Sequence, residues 1–266
     1  MKHRVLPGLF VLALLGAGVA PAQTAAPENL QLFLLVGQSN MAGRGTVEEG
    51  DRTPVPGVFS LNKELAWVPA ADPLHFDRPE RIGAGLGRSF ARTLLDESPK
   101  AVIGLIPAAM GGSSLAQWSP EGELFADAVR RAKAAGKAGV LRGILWHQGE
   151  SDSTQEADAR SYRERWTKMM TALRQELGAP NVPVVVGQLG EFLLPERPLS
   201  AIVNEQLASI PLTVPFTAFV SAARLADQGD RIHFDSPAYR ELGRRYALAF
   251  LSLDPSWSQK SSLKAR

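Results

Sequence analysis

Five short hydrophobic runs constrain the fold of this chain more than any other feature of its sequence. Each run has the length of a buried strand, and none shows the alternation of polar and apolar residues that a sheet with one exposed face produces. Amphipathic segments separate the runs. This alternation predicts one three-layer α/β/α sandwich domain over residues 30–255, built on a five-stranded parallel sheet with right-handed crossovers. The runs are 32–36, 102–106, 141–146, 182–186 and 216–220.

Three of the intervening segments have the periodicity of amphipathic helices. Apolar residues three or four positions apart predict helices over 83–97 and 158–177, and Gly178 follows the second as a helix terminator. A last helix is predicted to begin at Ser236, with Asp235 as its N-terminal cap. The aromatic residues on these helical faces are predicted to belong to the core.

The first 22 residues have the pattern of an export signal. A charged start at 2–4 precedes an almost continuously apolar stretch, and the small residues at 20–22 fit a cleavage site. The apolar stretch is about 15 residues long, which is short for a membrane anchor of about 20. We therefore expect a signal peptide over 1–22 and a periplasmic or extracellular protein. Residues 23–29 are predicted to be a linker, and 256–266 a disordered tail.

Charge and cysteine content exclude several classes of protein. Two of the 29 Lys and Arg residues lie in the leader, which holds none of the 27 Asp and Glu residues, so the rest of the chain is formally neutral. Neither nucleic acid nor an anionic membrane surface is therefore an expected partner. The chain has no cysteine, which excludes disulfides, a thiolate nucleophile and thiolate metal ligands.

The segment 46–82 interrupts the alternation of strands and helices with five prolines. We expect a long ordered excursion, and excursions at strand ends often carry substrate contacts. Trp67, His75 and Phe76 lie in it, and they either contact a substrate or simply pack the segment onto the domain.

Ser39 is a candidate nucleophile because of its place after the first hydrophobic run. The run ends at Gly37, so the predicted strand delivers Ser39 to its carboxyl end, where ligands bind in open α/β sheets. The alternative is a serine that caps a helix or fills a turn, which is a common use of serine.

His233 is the best-placed base for such a serine. Beyond the leader the chain has only His75, His147 and His233, and His233 follows the last hydrophobic run. Asp230 stands three residues earlier, so a tight turn can bring its carboxylate to Nδ1 while Nε2 faces outward. The alternative is a surface ion pair ahead of a helix.

Two further segments offer hydrogen-bond donors for an oxyanion. Gly111 and Gly112 follow the second run and let backbone N–H groups approach a ligand closely. Gln148 follows the third run and offers a side-chain N–H. A tight turn or a helix start is the alternative for the glycine pair.

Four sequence blocks together resemble a known family. VGQSNMAG, AAMGGSSLAQW, WHQGESD and DRIHF are similar to the signature blocks of the SGNH (GDSL-type) hydrolases. The four blocks resemble the form that these signatures take in carbohydrate esterase family 6 and in the sialate O-acetylesterase-like domain. The resemblance covers nearly the whole chain after the leader. It implies a flavodoxin-like sheet and serine ester hydrolysis without metal or cofactor, usually the deacetylation of a carbohydrate.

The resemblance also implies a role for each matching residue. Ser39 becomes the nucleophile, His233 the general base and Asp230 the acid that orients it. The oxyanion donors become the Ser39 N–H, one glycine of the 111–112 pair and Gln148. Most SGNH hydrolases have asparagine where this chain has Gln148, so only the sugar-esterase branch fits. The α/β-hydrolase elbow is excluded, because G-x-S-x-G requires glycine at Met41.

Several alternatives remain open from the sequence. Glu150 is a rival to Asp230 as the partner of His233, or it orients His147 or Arg44. A carbohydrate-binding protein on the same fold, a lipase or thioesterase, and a metal-dependent hydrolase are the other classes, the last with His147, Glu150 and Asp152 as ligands. Which acetylated carbohydrate is the substrate, and whether the protein is oligomeric, stay open.

Overall fold

The computed structural model describes residues 27–257, which form a seven-stranded sheet between two layers of helices. The predicted signal peptide lies outside the described residues. The strands are β1 (Leu30–Gly37), β2 (Val58–Leu61), β3 (Trp67–Pro69), β4 (Ile103–Pro107), β5 (Gly139–His147), β6 (Val184–Gly187) and β7 (Thr217–Val220). The helices are α1 (Ser39–Ala42), α2 (Glu49–Arg52), α3 (Gly87–Glu97), α4 (Glu123–Ala135), α5 (Glu156–Arg160), α6 (Tyr162–Glu176), α7 (Ser200–Ser209) and α8 (Ser236–Leu253).

The strand order is β3-β2-β4-β1-β5-β6-β7, and every neighbouring pair is parallel except β2 and β3. The five predicted strands correspond to β1, β4, β5, β6 and β7, so the three-layer α/β prediction is confirmed. The prediction of five strands is wrong, because β2 and β3 extend the sheet beyond β4. Both lie within the segment 46–82. Their sequences, VFSL in β2 and WVP in β3, are interrupted by a serine and a proline, so neither strand lies in a continuous apolar run.

Alternating side chains of β1 supply both cores of the sandwich. Phe33 and Leu35 face the layer of α3 and α8, where Phe33 packs edge-on against Phe90 and Phe250. Leu34 and its neighbours two residues away face the layer of α4, α6 and α7. Because both faces of β1 are covered, the run has no polar position, and this explains the uniform hydrophobicity that predicted the fold.

The predicted helix boundaries needed two corrections. The first helix begins at Gly87 and not at 83, because Gly83 and Ala84 instead form backbone hydrogen bonds with Gly43 and Gly45. The segment 158–177 is divided at Ser161 into α5 and α6. The start of the last helix is confirmed, since Asp235 accepts a hydrogen bond from the Ala238 N–H as an N-terminal cap.

The chain remains folded slightly beyond the predicted domain end. Trp257 is buried against Phe33 and Phe250, and its indole N–H donates to the Leu94 carbonyl at 3.1 Å. The prediction of a disordered tail from Ser256 is therefore wrong for Trp257, and residues 258–266 lie outside the described part. Within 27–257, no helix is long and apolar enough to span a membrane.

The topology places a crevice at the carboxyl end of β1. From β1 the chain passes through β2, β3 and β4, which all lie on one side of β1, and then crosses to β5 on the other side, so the strand order reverses at β1. In open α/β sheets ligands bind at such a switch point, outside the carboxyl ends of the strands. The segments that follow β1, β4 and β5 therefore meet at this edge.

Candidate active site

Ser39 lies at the end of β1, where the backbone turns sharply into α1. Gly37 has φ 136°, and a Cβ there would lie 2.1 Å from the His147 carbonyl oxygen of β5. Only glycine fits this close approach between the strand ends. The Gln38 N–H then donates to the same carbonyl, and Ser39 begins the short helix. Ser39 therefore lies at the carboxyl-terminal edge of the sheet, where the sequence predicts it.

His233 and Asp230 complete a hydrogen-bonded chain with Ser39. The Nε2 atom of His233 lies 3.0 Å from the Ser39 hydroxyl oxygen, and Nδ1 lies 2.6 Å from Oδ2 of Asp230. Ser39 and His233 are buried, whereas the Asp230 side chain is 37% exposed. This arrangement suits transfer of the hydroxyl proton to the imidazole.

The turn that holds this pair is built from its own side chains. The other carboxylate oxygen of Asp230, Oδ1, accepts the backbone N–H groups of Ile232 and His233 at 2.9 and 2.8 Å. Asp227 accepts the N–H groups of Gly229 and Arg231, both of which have positive φ angles. Asp230 and His233, three residues apart, therefore lie in one tight turn, as the sequence predicts.

Glu150 does not partner His233. Both ring nitrogens of His233 are already engaged, and Glu150 Oε1 instead accepts the side-chain amide of Asn40. The same amide donates to the Ile232 carbonyl at 2.9 Å. Asn40 thereby links three parts of the site, which are the turn that carries Ser39, Glu150, and the loop that carries His233. Arg44 pairs with Asp77 at 2.6 Å, so neither His147 nor Arg44 is oriented by the Glu150 side chain.

The two glycines of the 111–112 pair differ in their hydrogen bonds. The Gly111 N–H donates to Oδ2 of Asp77 at 2.8 Å, and that oxygen also accepts Arg44. Within residues 27–257, the backbone N–H groups of Ser39 and Gly112 have no hydrogen-bond acceptor. Gly112 has φ 78°, a conformation that glycine adopts without strain. The free backbone donors at this edge therefore include those of Ser39 and Gly112.

The structure does not bring the Gln148 side chain to the cavity. Gln148 is fully buried, and its side-chain nitrogen donates to Asp152 at 2.6 Å, to the Ser113 carbonyl and to Gln38. Its side-chain oxygen accepts the Tyr162 hydroxyl. The amide lies beneath the site and fixes Gln38, so the expected role as an oxyanion donor has no geometric support.

The other two histidines lie in the interior. Burial lowers the pKa of His75 and of His147 to about 3, and His147 Nδ1 lies 2.9 Å from the Tyr246 hydroxyl. Across the described range 27–257, no three His, Asp or Glu side chains are grouped to hold a metal ion. His147, Glu150 and Asp152 each contact different partners and do not form a shared ligand set.

The aromatic residues of the segment 46–82 serve packing. Trp67 packs against the core on the side of the sheet covered by α4, α6 and α7. The Phe76 ring lies 4.5 Å from the Arg131 guanidinium. The residues that this segment does present to the site are Arg78 and Arg81, which belong to no recognisable sequence motif. Their only signal in the sequence was their position in a long excursion at a strand end.

Ser39 opens into a cavity of about 220 Å³ with a strongly basic wall. Cavities of about 370 to 410 Å³ lie elsewhere, but none of them is lined by Ser39 or His233. Four arginines contribute to the lining, which consists of Gln38, Ser39, Arg44, Arg78, Arg81, Gly111, Gly112, Glu150, Ser151, Arg197, Ile232 and His233.

The electrostatic environment keeps His233 neutral and Asp230 ionised. Burial lowers the pKa of His233, the hydrogen bond and charge of Asp230 oppose this, and Arg44 and Arg81 add to the lowering. Partial burial disfavours the charge of Asp230, but hydrogen bonds from His233, Ile232 and Gln228 outweigh it and hold its pKa well below the usual range. A neutral imidazole beside an ionised carboxylate is the state required of a general base.

The fold and this serine, histidine and aspartate site define an SGNH-like hydrolase. The family described as carbohydrate esterase, sialic acid-specific acetylesterase, matches residues 29–252, and the chain belongs to that family. A probable carbohydrate esterase from Arabidopsis thaliana is 31% identical over 252 residues, which cover 86% of this chain and 93% of the relative.

Solved structures agree with this assignment. The X-ray structure of the Arabidopsis thaliana protein has a TM-score of 0.78 at 30% identity, covering 85% of this chain and 99% of that one. NanS has a TM-score of 0.72 at 19% identity, covering 85% of this chain and 98% of its own. A carbohydrate acetylesterase from Xanthomonas citri has a TM-score of 0.66 at 21% identity, covering 85% of this chain and 57% of its own. The last two support the fold.

Proposed function

We propose that this chain is a serine esterase that removes O-acetyl groups from carbohydrates of the acetylxylan or sialate type. The observation that carries the proposal is the continuous hydrogen-bonded chain from Ser39 through His233 to Asp230 at the mouth of a cavity. Membership of a carbohydrate esterase family supports the class of substrate. The charged wall of the cavity favours a polar sugar over the acyl chain of a lipid or thioester.

The first half of the reaction forms an acetyl-enzyme. Ser39 Oγ attacks the acetyl carbonyl carbon as its proton passes to His233 Nε2, which lies 3.0 Å away. The tetrahedral intermediate collapses when the bond to the sugar oxygen breaks, and His233 returns the proton to that oxygen. Asp230 stabilises the imidazolium that exists between these steps.

The second half releases acetate. Water gives a proton to the same histidine and attacks the acetyl-enzyme, and the ester bond to Ser39 Oγ then breaks. His233 returns the proton to the serine oxygen, so the enzyme is restored and acetic acid leaves. No atom or electron is required from any group outside the substrate, water and the protein.

The N–H groups of Ser39 and Gly112 would stabilise the oxyanion in both halves. Both donors are free within the described residues, whereas the Gly111 N–H is held by Asp77 and the Gln148 amide is held by Asp152. Preorganised donors of this kind lower the barrier because they need not reorient as the charge develops. Asp77 and Arg44 fix the turn that presents the Gly112 N–H.

The pH dependence of hydrolysis follows from the environment of His233. The base must be neutral, so kcat/KM rises with pH as His233 loses its proton. Because burial lowers the pKa of His233 below its ordinary value of 6.5, we expect the acid limb to have its midpoint below pH 6.5. Measuring kcat/KM for 4-nitrophenyl acetate between pH 4 and 9 tests this, and a midpoint above pH 6.5 would contradict it.

Acetate release from a panel of acetylated carbohydrates tests the proposed function itself. We expect release from acetylated sugars or polysaccharides, and much slower turnover of long-chain 4-nitrophenyl esters than of the acetate, because the cavity is small, about 220 Å³, and four arginines contribute to its wall. Preference for long acyl chains would instead assign the site to a lipase or thioesterase.

A further inference from the structure

Gln38 directly precedes Ser39, and its side chain is held by the loop that follows β5. The side-chain oxygen of Gln38 accepts three hydrogen bonds. They come from the Gln148 side-chain nitrogen at 3.2 Å and from the backbone N–H groups of Gly149 and Ser151 at 3.4 and 3.3 Å. Only 3% of Gln38 is exposed. The amide of Gln38 is therefore fixed in one position beside the nucleophile.

The chemistry of these three donors determines which way the Gln38 amide faces. A backbone N–H can only donate, so the atom that meets the N–H groups of Gly149 and Ser151 must be the oxygen. The Gln148 amide is oriented by the same rule, since its nitrogen also donates to the Ser113 carbonyl at 3.1 Å. The nitrogen Nε2 of Gln38 is therefore the half of the amide that this loop does not bind.

This nitrogen is a free donor in the cavity beside Ser39. Among residues 27–257, Nε2 of Gln38 has no hydrogen-bond acceptor. It is also not one of the unpartnered polar atoms of that range that the protein encloses completely, so solvent reaches it. Gln38 is buried except where it lines the cavity of Ser39 and His233. The free N–H bonds of Nε2 are therefore available to a molecule bound in that cavity.

The hydrogen bonds around Gln38 also join it to both free backbone donors of the site. The Ser39 N–H belongs to the next residue of the chain. Ser151, whose N–H binds Gln38, donates its hydroxyl to the Gly112 carbonyl at 3.1 Å. Gln148 makes a second connection, because it binds both Gln38 and the carbonyl of the residue that follows Gly112. One hydrogen-bonded unit thus carries the side-chain donor and the two backbone donors.

We propose that the side-chain nitrogen of Gln38 is a third oxyanion donor, acting together with the N–H groups of Ser39 and Gly112. This rests on the proposed function and adds a catalytic residue to it. When Ser39 attacks the acetyl carbonyl, the electron pair of the C=O double bond moves to oxygen, and Nε2 donates a hydrogen bond to that oxygen. No covalent bond to Gln38 forms. Because the amide is already anchored, it need not reorient as the charge develops.

This proposal gives the Gln148 side chain an indirect role. Its nitrogen has three acceptors in the interior, of which Gln38 is one, so it cannot face the cavity. It instead contributes one of the bonds that hold the Gln38 oxygen. Gln148 is therefore a positioning residue, and the donor that contacts the reacting oxygen is supplied by the residue before the nucleophile.

Replacing Gln38 by glutamate removes the donor and keeps the acceptor. One carboxylate oxygen can still accept the three hydrogen bonds of the loop, while the second oxygen stands where Nε2 was. We expect kcat for 4-nitrophenyl acetate to fall at least about 100-fold, the effect of removing one oxyanion donor, with little change in KM. Measurement at pH 8 keeps the glutamate ionised and His233 neutral.

Two further variants separate a donor from a purely structural role. Gln38→Met is uncharged and has neither donor nor acceptor, and its kcat should also fall at least about 100-fold while the acid limb of the pH profile stays in place. Gln188→Glu is the matched control. The side-chain oxygen of Gln188 accepts the Ala222 N–H outside the cavity, so this variant should keep wild-type kcat. Thermal unfolding midpoints show that each variant is folded.

A second substrate shows which oxygen the Gln38 amide binds. An oxyanion donor acts on the acetyl group that all substrates share. Gln38→Glu should therefore lower kcat/KM by a similar factor for 4-nitrophenyl acetate and for the acetylated sugar that the wild type hydrolyses fastest. A loss confined to the sugar ester would place the amide on a sugar hydroxyl and would overturn the proposed role.

The outcomes also distinguish this proposal from the proposed function. Wild-type kcat in Gln38→Glu, with activity lost only in Gln38→Met, would show that Gln38 merely supports the loop after β5. Wild-type kcat in both variants would exclude any role in the reaction. Either result leaves the esterase activity in place, whereas a wild-type protein that hydrolyses no ester would overturn the proposed function itself.

Discussion

Replacing Ser39 by alanine is expected to lower kcat for 4-nitrophenyl acetate by roughly 10⁴–10⁶-fold, because the variant has no oxygen that can form the acetyl-enzyme. The hydroxyl lies 3.0 Å from His233 and, among residues 27–257, forms no hydrogen bond with another side chain. Its loss removes one bond and leaves the turn at Gly37 unchanged. Purified wild-type and variant proteins should therefore have similar thermal unfolding midpoints, which separates lost chemistry from lost structure.

A fluorophosphonate probe gives this prediction a second readout. It should label the wild-type protein at Ser39 and leave Ser39→Ala unlabelled, because only an activated serine reacts. Ser252→Ala, on the outer part of α8, is a matched control and should retain full labelling and turnover. Undiminished turnover in Ser39→Ala would refute the mechanism. A wild-type protein that neither reacts nor hydrolyses esters would indicate a carbohydrate-binding protein on the same fold.

The parts of the site that could be predicted from sequence are those that depend on short-range geometry. Asp230 and His233 lie in one turn, so their spacing alone brought them together. Ser39 follows a strand whose burial was evident from its composition, and the end of that strand fixes its position in the sheet. Neither inference required knowledge of how distant segments pack.

The site prediction that lacks geometric support and the site residues that were missed concern contacts between distant segments. Gln148 follows a buried strand as a donor should, but its amide also donates to the Ser113 carbonyl and to Gln38, which belong to other segments, and these bonds hold it in the interior. Arg78, Arg81 and Arg197 come from two excursions that meet only in the folded protein. Nothing in the local sequence of either excursion indicates that they share a cavity.

Asn40 illustrates a role that only the packed structure reveals. Its amide nitrogen donates to Glu150 and to the Ile232 carbonyl, and its oxygen accepts from the Phe234 N–H and the Tyr239 hydroxyl. The Asn40 side chain thus uses both its amide nitrogen and its oxygen to join the turn that carries Ser39 to the segments around it, including the loop that carries His233. The distance between Ser39 and His233 depends on this junction, although Asn40 touches neither reacting atom.

The assignment of the acid is tested by comparing two conservative variants. Asp230→Asn is expected to lower kcat by roughly 10²–10⁴-fold, whereas Glu150→Gln should lower it less than about 10-fold. The oxygen of an asparagine at 230 would continue to accept the backbone N–H groups of Ile232 and His233. Its NH₂ group would then face His233 Nδ1, which must become an acceptor. The proton would move to Nε2, where it prevents the imidazole from accepting the Ser39 proton.

Glu150→Gln makes no such change, because a glutamine oxygen can still accept the Asn40 amide and both nitrogens of His233 keep their partners. The pH profile distinguishes the two variants further. Asp230 raises the pKa of His233, so any residual activity of Asp230→Asn should have its acid limb at lower pH than the wild type, while Glu150→Gln should leave the limb in place.

Asp227→Asn removes a carboxylate from the same turn without contacting His233 and should change kcat little. A greater loss of kcat in Glu150→Gln than in Asp230→Asn would reassign the partner of His233, because it would place the functional carboxylate on β5's loop and not in the turn that holds the histidine.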